Sequence, residues 1–126
     1  MDIAEFEKFR YMNFATFKKS GAEVKTPVWF VALDGKVYIY TAGDAGKAKR
    51  LRNSPRARLA PSDVRGNVKG EWRDTSARIV TDKSLVDRVN SALRKKYGLQ
   101  ISVLSFFARI AGKIDQRVYI EVDYPK

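Results

Sequence analysis

Six basic residues lie between Lys47 and Arg58, in a segment that contains no acidic residue. The segment follows a strand-like run that ends at Thr41, and Gly46 at its start permits close approach of the backbone to a ligand. A helix that begins here presents free backbone N–H groups, which suit an anion such as a phosphate. The residues therefore indicate a phosphate site, a surface that follows a nucleic-acid backbone, or a solvated helix face.

The composition of the 126-residue chain limits the chemistry that it can perform. It has no cysteine and no histidine, which excludes disulfides, cysteine nucleophiles, Ser-His-Asp triads and histidine-built zinc or heme sites. Its 44% hydrophobic content predicts one folded domain over residues 1–126. No apolar run approaches the roughly 18 residues that span a bilayer, so we expect a protein without a membrane span, in the cytoplasm. A formal net charge of +11 predicts an anionic partner: nucleic acid, an anionic membrane surface, or a phosphorylated or polycarboxylate small molecule.

Short β-rich runs follow an opening amphipathic helix at Ile3–Phe9. From Tyr11 to Thr41 the pattern is strand, turn, strand, turn, strand, with Asp34-Gly35 as a strong hairpin signal. The basic segment predicts one to two helical turns that end near Asn53, because Pro55 cannot continue a helix. Strand character returns in the runs RARLA, EWRDTSARIV and RVYIEVDY. The chain thus predicts six short strands.

Two helical runs are predicted late in the chain. The first is SLVDRVNSALRKKYG, with Ser84 as its cap, Gly98 as its stop and an apolar stripe of Leu85, Val86, Val89 and Leu93. The second is QISVLSFFARIAG, residues 100–112. Antiparallel strands with late helices predict a mainly β fold with α additions, a small closed or partly open barrel. Because side chains fill such a barrel, we expect a ligand on its outside or in a groove made with a second copy.

Several motifs, in order, resemble one superfamily. KTPVWFV on one strand, YIYT on the next, then GKAKRLRNSPRARLAP, GNVKGEW and ARIV are similar to the flavin and deazaflavin oxidoreductases of the pyridoxamine 5′-phosphate oxidase-like split-barrel superfamily. Within it, the chain most resembles the branch that uses the deazaflavin coenzyme F-420. The resemblance implies a six-stranded Greek-key split β-barrel, a homodimer, and a cofactor lying across the dimer groove.

The resemblance also implies three groups of cofactor-binding residues. The ring of the cofactor would lie along Val28, Trp29, Phe30 and Val31. Its phosphate would meet Thr41 and the start of the basic segment, at Gly46, Lys47, Ala48, Lys49 and Arg50. A loop from the partner subunit would meet the ring or ribityl portion through Asn67, Val68, Lys69 and Gly70.

The implied activity is hydride transfer between reduced F-420 and an unsaturated or quinone-like small molecule. Such a reaction needs no protein nucleophile, so we assign no catalytic residue and no metal site. Gly46 stands where related oxidases carry the first residue of a basic pair, which weakens a flavin mononucleotide (FMN) site and favours F-420. The alternatives are a split barrel that binds FMN, heme or nothing, and a single-stranded nucleic-acid-binding β-barrel, since basic residues beside aromatic strands also serve that purpose.

Overall fold

The computed structural model describes residues 1–42, 46–98 and 117–125. Within these residues three helices and seven strands follow one another along the chain. Their order is α1 (Ile3–Glu7), β1 (Tyr11–Phe17), β2 (Glu23–Val28), β3 (Val31–Leu33), β4 (Lys36–Ala42), α2 (Gly46–Asn53), β5 (Arg56–Ser62), β6 (Arg73–Val80), α3 (Lys83–Tyr97) and β7 (Arg117–Asp123). The predicted helix at residues 100–112 lies outside the described residues.

The strands form one antiparallel sheet in the order β2-β1-β5-β6-β7-β4-β3. Its two outermost strands, β2 and β3, are separated in the chain by only Trp29 and Phe30. A sheet whose two edges are joined by so short a link must curl back on itself, which gives a partly closed barrel. The prediction of a mainly β, curled antiparallel fold with helical additions is confirmed.

The predicted strand count of six is wrong, because the run predicted as one strand is divided in two. β2 pairs with β1 as far as Val28, and β3 pairs with β4 from Val31 onward. Between them, the backbone N–H and C=O of Phe30 bond to the hydroxyl of Tyr97 and not to a neighbouring strand. The sheet described here therefore has seven strands.

Alternating side chains give the sheet two buried faces. One face fills the barrel with a large apolar cluster that includes Phe14, Ile39, Leu59 and Ile120, all nearly inaccessible. The opposite face of β3, β4 and β7 packs against α3, which buries Tyr119 together with other residues of a second cluster. The burial of Tyr119 follows from the position of α3.

Within the described residues, the predicted positions of three helices and the hairpin agree with the structure, apart from one cap. Asp34 and Gly35 both have positive φ, at 54° and 78°, as a tight hairpin requires. α2 ends at Asn53 as predicted. The cap of α3 is Asp82 and not Ser84, since the Asp82 carboxylate accepts the Ser84 N–H. No helix among the described residues has both the length and the apolar character needed to cross a bilayer.

Candidate cofactor-binding site

α2 places the start of the basic segment against one end of the barrel. Ala48 and Leu51 are buried, and Leu51 joins the apolar cluster inside the barrel, so the helix has a fixed orientation. The guanidinium Nε of Arg50 donates to the hydroxyl of Thr16 on β1, at 2.5 Å. Thr16 is itself 1% exposed. Arg50 is thus held against the barrel wall, and Thr16 is a contributor that the local sequence pattern did not indicate.

Lys47 has the most unusual surroundings among the predicted phosphate-binding residues. Its side chain is partly buried, and no carboxylate of the described residues pairs with it. Burial of the ammonium lowers the pKa of Lys47, and the nearby charge of Arg50 lowers it further. An anion bound here would relieve both unfavourable effects. Lys49, by contrast, is exposed to solvent.

Gly46 leaves room for the Arg50 side chain at the first turn of α2. A Cβ at position 46 would lie 2.5 Å from Nη1 of Arg50, so a larger residue there would push the guanidinium away. Arg50 therefore occupies the space that a side chain at position 46 would take. The sequence pattern indicated the loss of one cation at Gly46, whereas the structure brings Arg50 close to that position.

Arg56 and Arg58, at the end of the basic segment, have protein partners. Arg58 pairs with Glu23 at 2.9 Å and with Asp74 at 3.3 Å, and its guanidinium lies 5.0 Å from the centre of the Trp72 ring. Arg56 lies over the Phe17 ring at 3.9 Å. These contacts give both side chains a structural role, in addition to any contact with a ligand.

The predicted ring-binding residues surround the division between β2 and β3. Phe30 is fully buried, and Val31 is 3% exposed. Trp29 is partly exposed, and one face of its indole stacks on Tyr97 with ring centres 4.6 Å apart and planes 11° apart. Val28 is partly buried at the end of β2. Trp29 is therefore the member of this group with both an aromatic face and access to solvent.

The end of β4 adds a buried hydroxyl next to Thr41. Tyr40 Oη is inaccessible and has no hydrogen-bond partner among the described residues, and burial raises the pKa of Tyr40 to about 12. The guanidinium carbon of Arg117 lies 5.2 Å from the centre of the Tyr40 ring. Thr41 itself is opposite Val118 in the ladder between β4 and β7. Arg117 was missed because it lies far from this strand in the sequence.

The loop from Asp63 to Gly70 is held by its own hydrogen bonds. The Asp63 carboxylate accepts the N–H of Arg65 and both the backbone and side-chain N–H of Asn67, which lower the pKa of Asp63. Lys69 donates its backbone N–H to the Pro61 carbonyl at 2.7 Å, and its ammonium lies 3.8 Å from Asp63. The side-chain amide N–H of Asn67 is therefore already used within the loop.

Gly70 and Val68 complete this loop in different ways. A Cβ at position 70 would lie 2.8 Å from Cγ of Pro61, so the close approach of the two segments requires glycine. Val68 forms an isolated bridge with Ser62 and is 37% exposed. Val64 in the same loop is 60% exposed. The loop thus presents two apolar side chains on a backbone that is internally fixed.

One protomer does not bring all the predicted residues together. The loop adjoins the end of β1 where Tyr11 pairs with Ser62, whereas α2 adjoins the end marked by Thr16. At about 3.4 Å per residue, these two ends of β1 are about 17 Å apart. Gly46–Arg50 and Asn67–Gly70 therefore form two separate groups in the single chain.

Three solved structures share this fold over almost the whole chain. A conserved hypothetical protein, Rv2991 from Mycobacterium tuberculosis, is 22% identical, with 98% of this chain and 79% of that chain covered and a TM-score of 0.71. The heme storage protein HutZ from Vibrio cholerae is 17% identical, with 98% and 88% covered and a TM-score of 0.73. A structure described as an F420 reductase is 13% identical, with 99% and 94% covered and a TM-score of 0.63.

These similarities establish the fold and leave the ligand open, because neighbours of comparable similarity are described by different cofactors. None of the curated proteins is significantly similar to the chain. The model of the pyridoxamine 5′-phosphate oxidase family, however, matches residues 2–124, which is nearly the whole sequence. This chain therefore belongs to the pyridoxamine 5′-phosphate oxidase family, as the resemblance in its motifs predicted.

Proposed function

We propose that this protein binds coenzyme F-420 and transfers a hydride between the reduced cofactor and an unsaturated or quinone-like small molecule. The observation that carries the proposal is Lys47, a partly buried ammonium without a carboxylate partner among the described residues. A partly buried charge without a partner among the described residues is unfavourable, whereas a phosphate would stabilise it. The resemblance to the F-420-dependent branch supplies the identity of the phosphate-bearing molecule.

The residues present fit such a group at its anionic end. Lys47 and Arg50 supply two cations, and the first turn of α2 supplies backbone N–H groups. Thr41, Ala48 and Lys49 lie in the same part of the chain and stay predicted contacts. Trp29 and its neighbours Val28, Phe30 and Val31 would adjoin the ring, with the indole as the available aromatic surface.

A second copy of the chain would complete the site. In one protomer the loop residues Asn67–Gly70 are about 17 Å from the α2 group along β1. In a homodimer, the loop of one subunit can approach α2 of the other, and the exposed Val64 and Val68 would then be covered. We therefore place the cofactor in a groove shared by two subunits.

In the reaction, the protein would bind the cofactor and substrate, orient them and exclude water from them. A deazaflavin supplies the hydride-transferring carbon when bound, so the chain needs no nucleophile of its own. Burial raises the pKa of Tyr40 to about 12, so its hydroxyl holds its proton more tightly than a free tyrosine does and is not assigned as a proton donor. We assign no residue as catalytic.

FMN is the second candidate, and Arg50 is the observation that favours it. Its guanidinium fills the space beside Gly46 and so provides a second cation close to Lys47, as a compact phosphate requires. Heme has less support, because the chain has neither histidine nor cysteine to ligate the iron. Nucleic acid stays the competing class, since the net charge is +11.

The test is a fluorescence titration of the purified protein with F-420 and, separately, with FMN. Lys47→Ala should weaken binding of the preferred cofactor about 10- to 100-fold, the usual effect of losing a charge-assisted hydrogen bond. Lys83→Ala is the matched control, because Lys83 is also on a helix and its side chain is 89% exposed. It should bind like the unmodified protein.

Two results would contradict the proposal. A folded Lys47→Ala variant with unchanged affinity would remove α2 from the site. If sedimentation shows that the protein is a monomer and the titration shows that this monomer binds the cofactor with full affinity, the shared groove is ruled out.

A further inference from the structure

The division between β2 and β3 leaves two backbone groups that the sheet does not satisfy. Phe30 is fully buried, so its N–H and C=O need partners within the protein. The hydroxyl of Tyr97, the last residue of α3, accepts the Phe30 N–H at 3.0 Å and lies 2.8 Å from the Phe30 carbonyl oxygen. It also lies 2.9 Å from the carbonyl oxygen of Arg10. A single side chain thus replaces the strand partners that the link lacks.

The ring of the same residue fixes the neighbouring indole. Tyr97 and Trp29 are nearly parallel, with centres 4.6 Å apart and planes 11° apart. The indole plane is therefore set by α3, whose last turn is anchored by the buried side chains of Leu93 and Tyr97. A rotation of Tyr97 would change both the hydrogen bonds of Phe30 and the orientation of Trp29.

Two charged residues also contact the link and the start of β3. The ammonium of Lys96 lies 3.6 Å from the centre of the Phe30 ring and 3.5 Å from the Glu7 carboxylate. Glu7 in turn accepts the backbone N–H of Ala32 in β3, at 2.6 Å. α1 and α3 therefore hold both ends of the same short segment.

We infer that Tyr97 is a positioning residue, which orients the Trp29–Phe30 link for the cofactor ring through its hydroxyl bonds to Phe30 and its stacking on Trp29. The inference rests on the proposed function. It assigns Tyr97 no contact with the cofactor, because the observed contacts of its ring and hydroxyl are with the protein. A residue of this kind changes affinity by altering the population of the binding geometry.

A purely structural role is the alternative, and the chain contains a matched control for it. Tyr119 belongs to the same apolar cluster and is similarly buried, at 6% exposure against 4% for Tyr97. Its hydroxyl donates to Asn90 Oδ1 at 2.6 Å, about two turns before Tyr97 along α3. Tyr119→Phe removes one buried hydroxyl bond, so it reports the general cost of such a loss.

The experiment compares Tyr97→Phe with Tyr119→Phe in a Trp72→Phe background, where Trp29 is the sole tryptophan. Three quantities are measured: stability in urea, Trp29 fluorescence, and affinity for F-420 and FMN. Both substitutions should lower stability. Only Tyr97→Phe should shift the Trp29 emission and weaken cofactor binding, by about 10-fold.

Lys96→Met is the second variant, which keeps the inference testable if Tyr97→Phe does not fold. It removes the ammonium above the Phe30 ring but keeps the Tyr97 hydroxyl, so we expect about a 3-fold loss of affinity. If the reference protein binds the cofactor and these variants bind as tightly as Tyr119→Phe, the inference is wrong and the proposed function stands. If the reference protein binds neither cofactor, the proposed function and this inference both fail.

Discussion

Lys47 on α2 and the cations on the outer face of the sheet have opposite surroundings. On that face Lys36, Arg78, Glu121 and Asp123 form what we call the outer ladder. Lys36 lies 2.9 Å from Asp123 and 3.6 Å from Glu121, and Arg78 contacts both acids. On α2, no described carboxylate pairs with Lys47.

The pKa directions of the two lysines follow from this difference. The hydrogen bond that the Lys36 ammonium donates to the Asp123 carboxylate raises the pKa of Lys36, whereas burial lowers the pKa of Lys47. The outer ladder thus stabilises its charges within the protein, whereas the Lys47 ammonium of α2 has no carboxylate partner among the described residues. The number of cations in a segment does not predict whether the pKa of a lysine is raised or lowered. The direction depends on the acids that the fold brings near that lysine.

The largest effect should come from removing the central acid of the outer ladder. Glu121 is 16% exposed, and it accepts the Tyr38 hydroxyl at 2.7 Å as well as pairing with Arg78. Glu121→Ala leaves a buried hydroxyl without an acceptor and two cations with less compensation, so we expect a loss of about 2 to 3 kcal/mol in unfolding free energy. Urea unfolding at neutral pH measures this loss.

Glu121→Gln and a cofactor titration of both Glu121 variants test whether the outer ladder has only a structural role. Glutamine retains an acceptor for Tyr38, so its loss of stability should be the smaller of the two. Neither variant should change cofactor affinity if the outer ladder is structural. A large loss of affinity without a loss of stability would instead place the binding site on this face.

Lys96 is an intermediate case, because it is buried and yet has an acid nearby. Burial lowers the pKa of Lys96 to about 8; the Glu7 carboxylate opposes this shift and the charge of Arg10 adds to it. Between pH 8 and 10.5 the unfolded lysine keeps a proton that the folded one has lost, so stability must rise with pH. Below this window the full cost of the buried charge is present.

We therefore expect the unfolding free energy to increase by about 1 to 2 kcal/mol between about pH 7.5 and 9.5. Lys96→Met should remove this increase, since methionine keeps the buried aliphatic length without a charge. Urea unfolding at a series of pH values checks the slope. If the unfolding free energy of the unmodified protein and that of Lys96→Met change with pH in parallel, the Lys96 ammonium is not destabilised in the folded state.

The sequence predicted the features that depend on neighbouring residues. Asp34-Gly35 forms its hairpin and α2 ends before Pro55, because turn geometry and proline sterics act over a few positions. The prediction of Lys47 as a phosphate contact also came from local signals, a glycine, a strand end and a basic run, and it stays a prediction. That no described carboxylate pairs with Lys47 could not be predicted, because it depends on where the acids lie in space.

Features that depend on distant residues were not predictable from local patterns. The division of the strand at Trp29 and Phe30 depends on Tyr97, 67 positions from Phe30. The anchoring of Arg50 depends on Thr16, 34 positions away. An apolar run such as VWFVAL predicts a buried strand, and only tertiary hydrogen bonds show where the strand breaks.

The smallest expected effect is that of salt on cofactor binding, and it separates the two functional classes. If the segment Lys47–Arg58 binds a single-stranded nucleic acid, the logarithm of affinity should fall by about 0.7 per contacted phosphate for each unit of log salt. Arg56 and Arg58 would have to contribute, yet both already have partners in the protein. The structure leaves few cations of this segment for an extended strand.

A cofactor held mainly at Lys47 and Arg50 should instead depend only weakly on salt, because a partly buried ion pair is screened less than an exposed one. We expect F-420 affinity to fall only a few-fold up to about 0.15 M salt, the physiological range. A thymidine oligonucleotide should no longer bind at that salt. Saturating F-420 should displace any oligonucleotide that is still bound. Titrating both ligands across one salt series makes the comparison direct. Tight oligonucleotide binding at that salt, unaffected by the cofactor, would show that α2 binds nucleic acid. The difference between α2 and the outer ladder would then reflect nucleic-acid binding and not cofactor binding.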